Sequence, residues 1–206
     1  QFGETSRLPS AIREVKFFQE LAASHHPFIL GYYHCWIENF QNAIEGPEVP
    51  SLFILMEYSH IGNLEDYLKK NSVDLQCKLQ IILQIALALR FLHCKGILHR
   101  DLKMSNVLII DDKDTSNPLP YKFVLCDFGT SSVAQRRDPR NRTGATGTIE
   151  TMAPELLEQD DQGQYVFCHS FSSDVWSLGV IIFHLFFGKN PFAGNNGEEL
   201  LKNYTD

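Results

Sequence analysis

Apolar residues at three- and four-residue spacing mark helices in this chain, and short continuous apolar runs mark strands. After a polar opening, Ser10 is placed to cap a helix over residues 11–23, with Ile12, Val15, Phe17 or Phe18, and Leu21 on one face. Pro27 ends that helix, and 28–37 reads as a strand. Residues 38–51 are polar, contain Pro47 and Pro50, and read as a long loop. A short apolar strand over 52–58 is broken at Gly62-Asn63, and a helix covers 64–70. The clearest helix spans 75–95. Leu79, Ile82, Ile85, Ala86, Leu89 and Leu92 follow its period, and Gly96 closes it. Strands over 107–110 and 121–125 flank a polar turn. An arginine-rich segment over 130–151 and a loop over 160–169 lead to a helix from Ser173 to about Phe187, apolar all round and so expected to be buried. Pro191 is expected to stop it, and one more helix is expected over 198–204.

Composition narrows the class. The chain has 206 residues, 44% apolar and 21% charged, ordinary for a globular domain and too apolar for disorder throughout. Its net charge of −7 argues against a nucleic-acid surface. Cys35, Cys77, Cys94, Cys126 and Cys168 are dispersed without a C-x-x-C pair and read as reduced thiols of a cytoplasmic protein. Three of them adjoin histidines (His34, His93 and His169), a pattern that makes a metal site only if the fold brings them together. No uninterrupted apolar run is long enough to span a membrane, so no membrane partner is expected. The chain opens on Gln1 without a signal pattern, which reads as an internal cut.

The chemistry concentrates in His99-Arg100-Asp101-Leu102-Lys103-Met104-Ser105-Asn106. Phosphoryl transfer asks a protein mainly to position groups and stabilise charge. Asp101 can take or orient the proton of an attacking hydroxyl, Lys103 can place positive charge on the transferred group, and the amide oxygen of Asn106 can reach a metal bridging phosphates. Downstream lie Asp127-Phe128-Gly129, at the end of a strand, and Ala153-Pro154-Glu155.

With Glu14 on the first helix, these motifs in this order resemble the eukaryotic protein kinase family over essentially the whole chain. The resemblance implies an α+β, two-lobed protein kinase fold: a small-lobe remnant over 1–58, and a mostly helical large lobe over 59–206. It implies ATP at the hinge and Mg²⁺ held by Asp127 and Asn106. The cofactor-binding set is then Glu14, Met56 as gatekeeper, Glu57 and Ser59 through backbone groups, Asn63, and Leu108 beneath the adenine. Thr148, within Gly147-Thr148-Ile149-Glu150, is placed to hydrogen-bond Asp101 and Lys103 as in serine/threonine kinases, and Lys103 itself implies Ser/Thr hydroxyls of protein substrates. Phe128 and His99 would join a column of side chains with Phe18 and Tyr32, which read equally well as ordinary core. Asp174 would brace the catalytic loop, cap its helix, or do both. Arg100 would pair with a phosphorylated Thr143 or Thr146, and Arg136, Arg137, Arg140 and Arg142 form either a solvated loop face or a docking run.

Arg13-Glu14-Val15-Lys16, the run from His26-Pro27-Phe28-Ile29 through Trp36-Ile37-Glu38, and Thr146-Gly147-Thr148-Ile149-Glu150 are similar to the fungal IKS-type kinases. Two family parts are not seen: a glycine-rich loop ahead of the first helix and the V-A-I-K lysine that pairs with Glu14. The last large-lobe helices, with the arginine partner of Glu155, are not seen either, so the small lobe reads as truncated and the chain as a fragment, inactive alone. The other reading is a pseudokinase that acts as a scaffold or decoy. Neither the substrate nor the oligomeric state is legible in the sequence.

Overall fold

The computed structural model describes residues 25–41, 48–112, 119–128, 132–133, 148–157 and 169–192. The expected helices over 11–23 and 198–204, Glu14, Phe18, Gly129, Thr143, Thr146 and the four segment arginines lie outside the described residues. The chain divides into two compact units, Gln1–Tyr58 and Ser59–Asp206.

In the first unit, β1 (Tyr32–Gln41) pairs antiparallel with β2 (Glu48–Met56). This corrects the loop expected over 38–51. Trp36, Glu38 and Phe40 alternate along β1 and continue its ladder, Phe53 stacks on Trp36 at 5.4 Å, and Pro50 is tolerated opposite Asn39 because, among the described residues, β2 has β1 as its one neighbour.

The second unit is mixed α and β. Asn63 caps the short helix α1 (Leu64–Lys70), its side chain accepting from the Asp66 N–H at 2.8 Å. Asp74 likewise caps α2 (Leu75–Cys94), and Gly96, with φ 74°, turns the chain into β3 (Ile97–Leu98). β3 pairs with β6 (Ser132–Val133), and β4 (Val107–Asp111) pairs antiparallel with β5 (Tyr121–Leu125). The helix α3 (Phe171–Phe187) starts at a Ser170–Ser173 capping box and ends at Gly188, φ 68°, three residues before the proline expected to stop it.

Both long helices correct the sequence reading in detail. α2 buries Ile81, Gln84, Ile85, Ala88, Leu89 and Leu92, whereas Leu79 is exposed. Six of its 20 residues are polar, but apolar ones reach every side of the helix, so the period leaves more than one apolar face to choose from. The choice falls to β5, whose Phe123 N–H donates to the buried Gln84 Oε1 at 2.8 Å. With 20 residues, α2 is long and apolar enough to match a membrane span by length and composition, contrary to the expectation that no segment is; its buried stripe packs on β5 and α3, as core helices do. α3 is not buried all round. Ser173, Asp174, Ser177, Val180, Ile181 and Leu185 form its buried stripe, while Val175 and Phe187 are exposed. Cys35, Cys77, Cys94 and Cys126 carry free thiols, and no cluster of metal-ligating side chains occurs among the described residues.

Candidate active site

The segment from His99 to Asn106 leaves β3 as an extended loop and closes in a 3₁₀ turn, Met104–Asn106, that feeds β4. Three devices hold it. From below, Asp174 on α3, only 3% exposed, accepts the His99 N–H on Oδ2 and the Arg100 N–H on Oδ1, both at 2.9 Å. This lets Arg100 keep a φ of 71°, a conformation that costs energy in isolation. Behind it, His99 is wholly buried, and its ring faces Phe128 at 5.3 Å. Burial pulls the His99 pKa down and keeps the imidazole neutral, so Nε2–H donates to the Cys126 carbonyl at 3.2 Å and Nδ1 is left as an acceptor toward the Asp101 N–H. At the far end, the Val107–Leu125 pair of the β4–β5 ladder sets Asn106 opposite Cys126, whose N–H donates to the Asn106 carbonyl at 3.0 Å. Asp127 follows, exposed and at φ 58°, so two residues in the left-handed region flank this site.

Four predicted side chains converge here. Asp101 Oδ1 accepts from the Thr148 hydroxyl at 3.0 Å. Its Oδ2 faces the Lys103 ammonium at 2.8 Å and accepts from Asn106 Nδ2 at 3.1 Å. Lys103 Nζ also donates to Thr148 Oγ1 at 2.7 Å, which closes a ring of polar contacts. Burial works to raise the Asp101 pKa, but the Lys103 ammonium and the hydrogen bonds from Thr148 and Asn106 together outweigh it and hold the carboxyl below its ordinary value. Asn106 Nδ2 donates to the Asp101 carbonyl as well, at 2.8 Å, which turns the Oδ1 end of the amide away from Asp101. The result is an ionised carboxylate, an ammonium, an amide oxygen and, two residues past the ladder, an exposed carboxylate, all on loops held by strands and by the buried stripe of α3.

The protein kinase domain profile matches residues 3–206. The chain belongs to the protein kinase family. It is 36% identical over 193 residues to the probable serine/threonine-protein kinase iksA of Dictyostelium discoideum, covering 88% of this chain and 20% of that protein. It is 31% identical over 205 residues to the serine/threonine-protein kinase RUNKEL of Arabidopsis thaliana, covering 97% and 13%. It is 30% identical over 192 residues to the interferon-induced, double-stranded RNA-activated protein kinase of Mus musculus, covering 85% and 34%. The chain thus spans between 13% and 34% of these relatives' length. The IKS-type resemblance stands, though the matching relative is not fungal.

Within this kinase domain the remaining predicted residues are placed as follows. Met56 ends β2, and the Glu57 N–H donates to the Gly31 carbonyl at 2.8 Å, so this backbone N–H is already engaged within the first unit. The Ser59 hydroxyl donates to the Ile109 carbonyl at 2.6 Å and accepts the Gly62 N–H at 3.0 Å, tying the start of the second unit to β4. The Asn63 side chain is engaged by the cap of α1, and its backbone bridges to Leu108. Asp174 is not the helix cap, which is Ser170; it is the loop brace alone.

Sequence reasoning missed His93 and Ser177. His93 Nε2 donates to Asp174 Oδ2 at 2.9 Å, so the carboxylate serves three donors. The only signal was a histidine in the last turn of an apolar helix, where it also suits the helix dipole. His169 lies with Arg100, Thr148 and Asp174 around a small pocket beside the loop. Burial, and then the Arg100 guanidinium, push its pKa down to about 4. The folded protein therefore holds His169 neutral where the unfolded chain, near 6.5, takes up a proton. Stability falls as pH drops from 6.5 towards 4, and His169→Gln flattens that part of a Tm-against-pH curve.

Proposed function

We propose that this chain carries the catalytic core of a serine/threonine protein kinase that transfers the γ-phosphoryl group of Mg·ATP to Ser or Thr hydroxyls of proteins in the cytoplasm. The observation that supports it best is the ring of contacts joining Asp101, Lys103, Thr148 and Asn106. Asp101, ionised, is the group to take the proton of the attacking hydroxyl as the new O–P bond forms and the bond to the departing diphosphate breaks. Lys103, already balanced by Asp101, lies where charge grows on the transferred group, and its preorganisation spares reorganisation during the reaction. Thr148 sits where a hydroxyl acceptor would approach, and holds both. The free thiols suit a reducing compartment.

The Asn106 amide oxygen and the exposed Asp127 carboxylate are hard oxygen donors of the kind magnesium takes, and they fit it. Bound Mg²⁺ would neutralise phosphate charge. The test is phosphate transfer from Mg·ATP to a Ser/Thr peptide by the full-length protein. Chelating the metal abolishes transfer, and Asp127→Asn raises the Mg²⁺ concentration for half-maximal rate by about tenfold or more. Transfer that persists in chelator, or an unchanged magnesium requirement in Asp127→Asn, contradicts this assignment.

A further inference from the structure

Thr148 is held from behind as well as in front. Thr148 precedes the 3₁₀ turn Ile149–Thr151, and both the N–H and the hydroxyl of Thr151 donate to the Thr148 carbonyl, at 3.0 and 3.1 Å. The turn is in turn anchored to α3. The Ser177 hydroxyl, in a residue 9% exposed, donates to the Thr151 carbonyl at 2.7 Å. A hydroxyl has one hydrogen. The competing acceptor, the carbonyl of Ser173 one turn back, is farther at 3.1 Å, so the interloop bond takes the proton. Asp174 lies three residues before Ser177, on the same face of the helix. One turn of α3 therefore holds two loops: the catalytic loop through Asp174, and the turn that begins at Thr148 through Ser177. Met152, Ala153, Leu156 and Leu157, which follow Thr151 in the chain, pack together with Trp176, the neighbour of Ser177.

We propose that Ser177 is a positioning residue. It registers the Thr148–Thr151 turn on the catalytic loop, and so sets how well a Ser or Thr hydroxyl is presented to Asp101. This rests on the kinase reading above and deepens it. A purely structural role makes a different prediction, because Ala is the better helix former at this position and removes a single oxygen.

The experiment is a double-mutant cycle on the full-length protein: wild type, Ser177→Ala, Thr148→Ala and the pair, with peptide phosphorylation, the KM for Mg·ATP and Tm measured for each. Ser177→Ala lowers kcat for the peptide by about three- to tenfold, with KM for Mg·ATP unchanged, when assayed well below the Tm of both proteins; the Thr151 carbonyl left without its donor lowers Tm by a few degrees at most. Ser177→Cys, of similar shape with a weak donor, falls between. In the Thr148→Ala background the second change does nothing further, because the path it acts through is gone. Additive losses, a loss that follows Tm, or a wild-type rate in Ser177→Ala overturns this proposal in an active enzyme. Absence of transfer by the wild type overturns the kinase reading and this one with it.

Discussion

Asp101→Asn lowers kcat for phosphate transfer by about a hundredfold or more, with little change in KM for ATP. The substitution keeps the shape and can keep the bond accepted from Thr148, so the loop stays folded. What it removes is the negative charge between the Lys103 ammonium and the Asn106 amide, and with it the group that takes the acceptor's proton. An Asn amine turned toward Lys103 also sets two donors against each other. Steady-state kinetics on the wild type and the variant, beside far-UV circular dichroism, check this. A variant that retains more than about a tenth of wild-type kcat rules out Asp101 as the essential carboxylate. The charge has a pH signature as well. The carboxyl stays ionised below the ordinary Asp range, so the acid limb of kcat/KM lies below the ordinary Asp value of 3.8 if no other group intervenes.

Asp174→Ala has the larger effect on stability. It leaves two backbone N–H groups and the His93 ring without their acceptor at a site that is nearly dry, and the expected loss is about 3–5 kcal/mol of unfolding free energy. Activity falls too, because nothing then holds Arg100 at its positive φ or keeps Asp101 facing Thr148. Asp174→Asn loses less, since one oxygen remains to accept. Burial works to raise the Asp174 pKa, but His93 and the two backbone N–H groups outweigh it, and the net direction is down. A carboxyl depressed on folding contributes stability above its unfolded value of 3.8 and loses it as pH falls through the lower folded value. Urea unfolding from pH 7 into that range shows the wild type losing its advantage over Asp174→Asn. Equal stability of wild type and Asp174→Ala at neutral pH contradicts the brace.

Much of this was legible because it depends on local order. The octapeptide from His99 to Asn106, the strands at 107–110 and 121–125, and the D-F-G and A-P-E signatures are short and contiguous, and their spacing carries their chemistry. The strands at 28–37 and 52–58 were legible, but their continuation through 38–51 into the hairpin of β1 and β2 was not, because polar residues and two prolines mask an alternation that only a pairing partner reveals. The buried face of α2 was not legible either. Apolar residues reach every side of it, and Gln84, a polar residue, is buried because the N–H of Phe123 needs an acceptor.

The chain's own residues determined the family, the order of elements and which groups carry charge at the site, because those follow from residue type at fixed spacing. Tertiary structure alone decided the long-range contacts. It brought Thr148 to within hydrogen-bond reach of Asp101, made Asp174 a brace rather than a cap, and enlisted His93 and Ser177. Those pairs lie tens of residues apart. No local pattern specifies them, because a buried donor is matched to whichever acceptor the packing of α2 and α3 delivers.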